Sequence, residues 1–234
     1  MSSTELSLVF PAHDEQANIG RTIRRAEQTI RRLGLRAEII VVDDGSTDRT
    51  AAVVSSFPGV RLLQHPRNRG YGAALRTGFA AARGEWVFFT DADLQFDLSE
   101  LAGALAASPG WDMVVGYREG RQDPLHRRAN ARAWGLLVGA LFGVGVRDVN
   151  CAFKLIRGTV LSRLQLSSEG AFINTELLVR ARALGCTIRE LPVRHYPRQT
   201  GTQSGNRPDV VLHAFRELAQ LWHLRRPPPG PDGR

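Results

Sequence analysis

The first 95 residues contain three short, mainly apolar runs, and each is followed by acidic residues. The runs and the acidic residues that follow them are 6–10 with Glu15, 38–42 with Asp43 and Asp44, and 86–89 with Asp91 and Asp93. Apolar runs of four or five residues that alternate with helical stretches are typical of a parallel sheet buried on both faces. Because parallel strands end at the same edge of such a sheet, we expect these acidic residues to share one cleft. The pattern predicts an α/β fold with a mostly parallel sheet and helices on both faces. We expect Asp14 to cap the helix that follows the first run and extends to about Leu33.

The third run is followed by two carboxylates one residue apart, Asp91 and Asp93, and then by Gln95. Leaving such charges unpaired at the end of an apolar strand costs free energy. Hard oxygen ligands suit Mg²⁺ or Mn²⁺, and a substrate diphosphate would supply the further anionic ligand that such an ion needs. The residues therefore favour an enzyme that acts on a nucleotide diphosphate. A helix N-cap followed by a solvated turn is the alternative interpretation.

The chain has 234 residues with a hydrophobic content of 43%, which fits a single globular domain. We expect that domain to span residues 1–224. The proline-rich tail, residues 225–234, cannot form a core and is predicted to be disordered. Cys151 and Cys186 have neither a metal-like spacing nor a disulfide framework. This cysteine usage favours a reducing cytoplasm.

The net charge of +8 is carried almost entirely by arginine, because Lys154 is the only lysine. Excess positive charge favours anionic partners such as nucleic acid, lipid head groups or sugar nucleotides. The planar arginine fork suits phosphate, although a coding bias toward arginine explains the composition equally well. Because the arginines are scattered and the predicted cleft is acidic, we expect no nucleic-acid partner.

The longest apolar stretch, residues 133–146, has 14 residues, and a bilayer span needs about 20. We therefore expect no transmembrane anchor in this sequence. Arg127, Arg128 and Arg132 precede Trp134 and a leucine-rich segment. This pattern predicts an interfacial helix whose arginines meet anionic head groups while the tryptophan and leucines enter the acyl boundary. A buried core helix with a solvated basic start is the alternative.

A Gly-x-Gly loop at Gly70 and Gly72 opens an alanine-rich helix. Backbone amides in such a loop could approach a phosphate. A tight loop with close helix packing is an equally good interpretation. The segment lacks both the full dinucleotide fingerprint and the Gly-Lys-Ser/Thr of a P-loop.

Four motifs follow one another in the order that a known family shows. They are Pro-Ala-His-Asp-Glu at 11–15 with Asn-Ile at 18–19, Val-Val-Asp-Asp-Gly-Ser-Thr-Asp at 41–48, Asn-x-Gly-x-Gly-x-Ala at 68–74, and Thr-Asp-Ala-Asp-Leu-Gln at 90–95. Through them the chain resembles the inverting family 2 glycosyltransferases with a GT-A (Rossmann-like) fold. The segments 116–118, 148–154, 172–178 and 198–201 are most similar to the dolichol-phosphate mannose synthase and polyprenyl-phosphate glycosyltransferase group.

The resemblance implies a role for each matching position. The implied nucleotide-binding residues are Pro11, His13, Glu15, Val42, Asp44, Asp91, Ala92, Asp93, Arg118 and Arg198. Asp91, Asp93 and Gln95 would surround a Mg²⁺ or Mn²⁺ ion. Asp93, Arg127 and Glu176 would be the catalytic residues, with Arg127 at the acceptor phosphate or the leaving group.

Three departures from the family pattern affect these assignments. His13 stands where the group usually has tyrosine, so stacking on the base would differ. Residues 150–152 replace the usual Ser-Gly stretch. After Gly201 the usual Ser-Lys pair is blurred, which would leave Arg198 or Arg207 to supply the basic contact.

The resemblance implies transfer of a hexose from a donor of the GDP-mannose or UDP-glucose type to a polyprenyl or dolichyl phosphate. An acceptor phosphate is already anionic near neutral pH, so it needs no strong base. The first alternative is a polysaccharide or small hydroxyl acceptor, for which Glu176 or Asp148 would be the general base. For a phosphate acceptor, Glu176 would instead orient an arginine or lie on the exposed side of a helix. The second alternative is a noncatalytic nucleotide- or nucleic-acid-binding domain.

We expect the protein to work in the cytoplasm, peripherally associated with the inner face of the membrane. The sequence leaves open whether it forms a homo-oligomer.

Overall fold

The computed structural model describes residues 4–119, 125–197 and 216–224, without the side chains of 125–127. The strands of this part of the chain are β1 (Leu6–Ala12), β2 (Ala37–Asp43), β3 (Val60–Gln64), β4 (Trp86–Phe89), β5 (Met113–Glu119), β6 (Lys154–Arg157) and β7 (Ile188–Arg194). Its helices are α1 (Ile19–Leu33), α2 (Thr50–Ser55), α3 (Tyr71–Ala81), α4 (Leu101–Ala106), α5 (Leu125–Phe142), α6 (Gly158–Leu161) and α7 (Ile173–Ala183). Leu98–Glu100 and Trp222–Leu224 are 3₁₀ turns.

The strands form one sheet in the order β3-β2-β1-β4-β6-β5-β7. All neighbouring pairs are parallel except those of β6, which runs antiparallel to both β4 and β5. The predicted α/β class with a mostly parallel sheet is therefore confirmed. The reversal of β6 places its first residue, Lys154, opposite Phe89 at the end of β4.

The core follows from strands that are buried on both faces. All residues of β1 and β4 are buried, and so are the last five of β2. This is why these strands read as continuous apolar runs and not as alternating patterns. Helix α3 packs closely on β1 because Gly78 has no side chain; an added Cβ would clash with Val9. The ring of Phe88 meets Phe153 edge-on, with the ring centroids 4.7 Å apart.

The first helix begins later than the sequence suggests. Asp14 was the predicted helix cap, but α1 starts at Ile19 and Asn18 precedes it without a side-chain cap bond. Asp14 instead has a φ of 52° and accepts hydrogen bonds from the backbone N–H of Thr47 (2.8 Å) and Asp48 (3.3 Å). The Thr47 bond is the main reason that the pKa of Asp14 is lowered. The cap prediction is wrong because Asp14 joins the loop after β1 to the loop after β2.

None of the helices in the described ranges is both long and apolar enough to cross a bilayer. In α5, Leu136 is 75% exposed, whereas Trp134 donates from its indole nitrogen to Thr175 Oγ1 (3.0 Å). Trp134 also meets the ring of Phe172, with the centroids 6.2 Å apart. The prediction that Trp134 enters a membrane is therefore wrong, because this side chain packs against α7. The tail at 225–234 lies outside the described residues, and the single domain at 1–224 stays a prediction.

Candidate active site at the carboxyl edge of the sheet

The three acidic strand ends lie at one edge of the sheet, here called the carboxyl edge. Strand β1 lies between β2 and β4, with Ala12 paired to Asp43 and Val9 paired to Phe89. The backbone N–H of Asp44 donates to the carbonyl oxygen of Ala12 at 2.8 Å, which extends the pairing past the end of β2. The expectation that these ends share an edge is confirmed by this topology.

At the end of β2, the buried carboxylate of Asp44 is filled by protein donors. One oxygen contacts His65 Nδ1 (2.6 Å) and accepts from the N–H of Arg69 (2.9 Å); the other accepts from the N–H of Gly70 (2.8 Å). Because an ionised carboxylate only accepts, the proton of this pair resides on His65 Nδ1. The other ring nitrogen of His65 lies 2.9 Å from Thr77 Oγ1. Asp44 therefore fixes the loop that leads into α3.

The Gly-x-Gly loop is held by protein contacts on its other side as well. The N–H groups of Gly72 and Ala73 both donate to the carbonyl oxygen of Glu169, at 2.7 and 3.2 Å. A Cβ on Gly72 would lie 2.5 Å from the carbonyl oxygen of Ser168. The phosphate interpretation is therefore wrong for the N–H groups of Gly70, Gly72 and Ala73. The interpretation as a tight loop with close packing is confirmed.

At the end of β4, the carboxylate of Asp91 lacks such donors on one of its oxygens. Asp91 Oδ1 is buried and has no hydrogen-bond partner among the described residues. Burial, and then the charge of Asp93, raise the pKa of Asp91 to about 7. The Tyr71 hydroxyl is close enough to lower that pKa, yet neither its oxygen nor Asp91 Oδ1 reaches hydrogen-bond geometry. A buried carboxyl oxygen in this state fits a cation ligand better than a structural role.

The turn that carries these carboxylates is strained and well supported. Leu94 has a φ of 64°, and a bulky side chain in this region costs about 1–3 kcal/mol. Thr22 Oγ1 of α1 donates to the carbonyl oxygen of Ala92 at 2.9 Å. The N–H of Gln95 donates to Asp93 Oδ1 (3.1 Å), and Gln95 Nε2 donates to the carbonyl oxygen of Tyr196 (3.1 Å). That last bond uses the amide nitrogen, so Gln95 Oε1 is available to face a cation.

Asp91, Asp93 and Gln95 offer the all-oxygen donor set that Mg²⁺ and Mn²⁺ prefer, so these residues fit such an ion. Within the described ranges, no three histidine, cysteine, aspartate or glutamate side chains come together as a ready metal site. An ion on the two carboxylates would therefore take its remaining ligands from a bound substrate and water.

An arginine-lined cavity of about 560 Å³ opens at the end of β5, which lies two strands from β4 in the sheet. Its lining residues are Tyr117, Arg118, Arg128, Ala131, Arg132, Arg147 and Asp148. Arg118 donates to both oxygens of Asp148 in a bidentate pair, at 2.7 and 2.9 Å. The positive charge of Arg118 also acts on Asp91, lowering its pKa against burial and Asp93. The cavity, here called the arginine cavity, is therefore suited to an anion, and one of its arginines acts electrostatically on Asp91.

Glu176 on α7 is fully buried, and its carboxylate is occupied. It accepts hydrogen bonds from the N–H of Ser167 (3.0 Å) and Ser168 (2.8 Å), from Ser167 Oγ (2.8 Å) and from Arg180 Nε (2.8 Å). Burial acts to raise the pKa of Glu176, but these bonds outweigh it and the pKa is lowered. The alternative that places Glu176 on an exposed helix face is wrong, and the Arg180 contact supports the alternative that it orients an arginine.

The remaining predicted residues stand in different surroundings. Pro11 and Val42 are paired in register and buried. The His13 side chain is 39% exposed, and its Nδ1 lies 3.0 Å from the carbonyl oxygen of Asp44. Glu15 accepts from Asn18 Nδ2 at 2.6 Å. The side chain of Arg127 and all of Arg198, Gly201 and Arg207 lie outside the described residues.

Sequence reasoning missed four side chains at this edge: His65, Tyr71, Asp148 as a partner of Arg118, and Lys154. Lys154 carried a signal, because it is the only lysine in an arginine-rich chain. Tyr71 carried a weaker one, as the aromatic residue between the two glycines of the loop.

Residues 7–163 match the family model for glycosyl transferase family 2. The chain is 31% identical over 231 residues to dodecaprenyl-phosphate galacturonate synthase of Rhizobium johnstonii, an alignment that covers 94% of this chain and 66% of that protein. It is 31% identical over 202 residues to undecaprenyl-phosphate 4-deoxy-4-formamido-L-arabinose transferase of Edwardsiella ictaluri, covering 84% and 61%. The chain thus spans less than two thirds of the length of these two relatives.

Solved structures share the fold. Glucosyl-3-phosphoglycerate synthase of Mycobacterium tuberculosis, in complex with Mn²⁺, uridine diphosphate and glucosyl-3-phosphoglycerate, superposes with a TM-score of 0.69 at 24% identity. That superposition covers 97% of this chain and 82% of the other. The same enzyme with Mg²⁺ and uridine diphosphate gives a TM-score of 0.70 at 24% identity, covering 97% and 81%. This likeness confirms the predicted GT-A fold.

Proposed function

Because this chain belongs to glycosyl transferase family 2, we propose that it transfers a hexose from a GDP- or UDP-sugar to a polyprenyl phosphate. One observation carries the proposal: Asp91 Oδ1 is buried without a hydrogen-bond partner in the described ranges, and the charge of Arg118, which lines the arginine cavity, acts on the Asp91 carboxyl group. The names of the two relatives support a polyprenyl phosphate acceptor, because one name contains dodecaprenyl phosphate and the other undecaprenyl phosphate.

The donor side is formed by the ends of β1, β2 and β4. Half-exposed His13 is available to stack on a base, beside buried Pro11 and Val42. Asp44 contributes by fixing the loop into α3, because its carboxylate is filled by protein donors. Asp91, Asp93 and Gln95 would hold Mg²⁺ or Mn²⁺, which when bound neutralises the diphosphate leaving group. The Lewis acidity thus comes from the ion, while the chain supplies a fixed oxygen cluster.

The acceptor side is the arginine cavity. Arg118 is held by its two bonds to Asp148, so its guanidinium is oriented before any ligand binds. Arg128 and Arg132 on α5 also line the cavity and add positive charge. Arg127 and Arg198 are proposed to contribute as well. A preoriented cluster of positive charge stabilises anions without reorganisation cost. The cavity would bind the acceptor phosphate and balance the charge that develops on the leaving group.

A phosphate acceptor also agrees with the state of the carboxylates. Asp148 is paired with Arg118, and both oxygens of Glu176 accept bonds from other protein groups. Neither is presented as a general base for a sugar hydroxyl. An acceptor that is already anionic needs no such base.

We propose that the protein works at the cytoplasmic face of a membrane, where a polyprenyl phosphate resides. Leu136 on α5 is 75% exposed on the helix that also carries Arg128 and Arg132. An exposed leucine on a basic helix suits contact with an anionic lipid surface.

The decisive test is transfer of a radiolabelled sugar to polyprenyl phosphate in the presence of Mn²⁺. A panel of GDP- and UDP-sugars would be assayed, first with the lipid acceptor and then with soluble hydroxyl acceptors. We expect labelled lipid from at least one donor, and loss of that product in Asp93→Asn. Transfer to the soluble acceptors alone, or no transfer by folded protein from any donor, would contradict the proposal.

A further inference from the structure

Lys154 is a fully buried lysine in a chain that otherwise uses arginine. The sequence has 31 lysine and arginine residues, and this is the only lysine. Its side chain is 0% exposed. Burying an ammonium group costs several kcal/mol unless hydrogen bonds and opposite charges compensate. A large planar guanidinium differs in shape from a compact ammonium group, so arginine would not make the same set of contacts at this position.

All three donors of this ammonium group are used. Nζ donates to the carbonyl oxygens of Val149 (3.2 Å) and Cys151, and to Asn174 Oδ1 (2.8 Å). It also lies 5.5 Å from the centre of the Phe89 ring. Three elements meet at this one group: the turn before β6, the first residues of α7 and the end of β4.

The turn held by Lys154 begins at a residue that lines the arginine cavity. It starts at Asp148, and Val149 and Cys151 accept from Lys154 within the next three residues. Asp148 is the bidentate partner that orients Arg118. A displacement of this turn would therefore move the guanidinium that lines the cavity.

Lys154 also lies next to the strand end that carries Asp91. It is paired in register with Phe89, the last residue of β4 and two residues before Asp91. Burial lowers the pKa of Lys154 itself to about 8, with Asp148 and Asp91 acting in the other direction. At neutral pH the buried positive charge of Lys154 thus interacts electrostatically with both Asp91 and Asp148.

We propose that Lys154 is a positioning residue that keeps the Asp91 end of β4 and the arginine cavity in a fixed relation. This proposal rests on the proposed function, because the role given to Lys154 is to align the donor diphosphate with the acceptor phosphate. Lys154 contacts neither substrate in this role; it acts through Asn174, the 148–151 turn and the field at Asp91.

Nuclear magnetic resonance can observe this residue alone. Labelling with [ε-¹⁵N]lysine gives a single side-chain signal, because the chain has one lysine. We expect the signal to shift in Asp91→Asn and in Asp148→Asn, since both carboxylates act on Lys154. Asp112→Asn is the control, because Asp112 precedes β5 at the opposite edge and should leave the signal in place. A signal that ignores either Asp91→Asn or Asp148→Asn overturns the proposal, and this arm needs no ligand.

Kinetics separate positioning from simple stability. In Lys154→Met we expect kcat to fall about 100-fold, the loss typical of a 1 Å misplacement, with the KM for the donor changed less than threefold. Lys154→Arg should not restore kcat, although it keeps the positive charge. Ile156→Ala is the matched control, because Ile156 is equally buried on β6 and carries no part of the site. Equal kcat values for Lys154→Met and Ile156→Ala, or rescue by arginine, would overturn the positioning role.

Titration of the labelled wild-type protein with UDP or GDP and Mg²⁺ distinguishes failure of the positioning proposal from failure of the proposed function. If calorimetry detects nucleotide binding and the Lys154 signal does not move, the positioning proposal fails and the proposed function stands. If no nucleotide binds and no transfer is seen, the proposed function fails, and the two aspartate variants still decide whether Lys154 couples the two regions.

Discussion

Two acidic strand ends lie one strand apart at the carboxyl edge, and they differ in what satisfies them. After β2, the carboxylate of Asp44 is filled by His65 and by the N–H groups of Arg69 and Gly70. After β4, one oxygen of Asp91 is buried without a hydrogen-bond partner in the described part of the chain.

The difference separates structure from function at the same edge. A satisfied carboxylate stabilises the loop that it holds, because each donor gains a charged acceptor. An unsatisfied buried carboxylate costs stability, and proteins keep such groups where a ligand completes them. We therefore expect substitutions after β2 to reduce stability and substitutions after β4 to reduce function.

The largest expected effect is on activity in Asp91→Asn. Removing the charge would lower sugar transfer about 1,000-fold, equivalent to about 4 kcal/mol of transition-state stabilisation, because the ion loses a ligand. Stability should rise by about 1–2 kcal/mol, since a buried charge beside Asp93 is removed. Activity assays and urea denaturation measure the two changes, with Asp112→Asn as the control. A variant that is both active and less stable would remove the distinction between the two ends.

The converse substitution, Asp44→Asn, tests the filled carboxylate. We expect a loss of about 2–4 kcal/mol, because the amide nitrogen would face the N–H groups of Arg69 or Gly70. Asp43→Asn is the matched neighbour. Asp43 accepts from the N–H of Ser46 (3.0 Å) and more distantly from Gln64 Nε2 (3.4 Å), fewer close bonds than Asp44 accepts, so its substitution should cost less. Urea denaturation of the three proteins checks the order. An equal loss in both variants would show that the loop contacts of Asp44 are unimportant.

A substitution in the Gly-x-Gly loop tests whether the contacts that hold the segment after β2 are structural. Gly72→Ala should cost about 2–3 kcal/mol, because its Cβ would lie 2.5 Å from the carbonyl oxygen of Ser168. Gly59→Ala is the control, since its Cβ would meet nothing within 4 Å. Thermal denaturation measures both. If Gly72→Ala were as stable as Gly59→Ala, the close approach of the 168–170 segment would not matter.

The smallest expected effect concerns acid stability. Because hydrogen bonds lower the pKa of buried Glu176 in the folded state, its contribution is complete above the ordinary value of 4.5. That contribution is lost as the pH falls through the lower folded-state pKa. Glu176→Gln should therefore reduce the free energy of unfolding by about 1–3 kcal/mol at pH 7 and by less at pH 3. An equal reduction at both pH values would contradict the assignment.

The sequence predicted the sheet and its acidic edge because both depend on local pattern. Strands β1, β2 and β4 are buried on both faces, so they appear as apolar runs, and parallel strands end together. The motif resemblance to family 2 glycosyltransferases was confirmed by the family match.

The state of each carboxylate could not be read from the sequence. The donors to Asp44 come from residues 65–70, and all donors to Glu176 except Arg180 come from residues 167–168, which the tertiary fold brings near. The position of Lys154 depends on the reversal of β6, which local periodicity does not specify. Asp14 was misassigned because its positive φ directs the side chain to a neighbouring loop.

The most direct test of the distinction between the two strand ends is calorimetry of UDP and GDP binding with and without Mn²⁺. The wild-type protein should bind one of these nucleotides more tightly with Mn²⁺. Asp44→Asn, verified as folded, should retain that dependence on Mn²⁺, and Asp91→Asn should lose it. Unchanged Mn²⁺ dependence in Asp91→Asn, or its loss in Asp44→Asn alone, would contradict the assignment of the β4 end as the ligand-binding cluster.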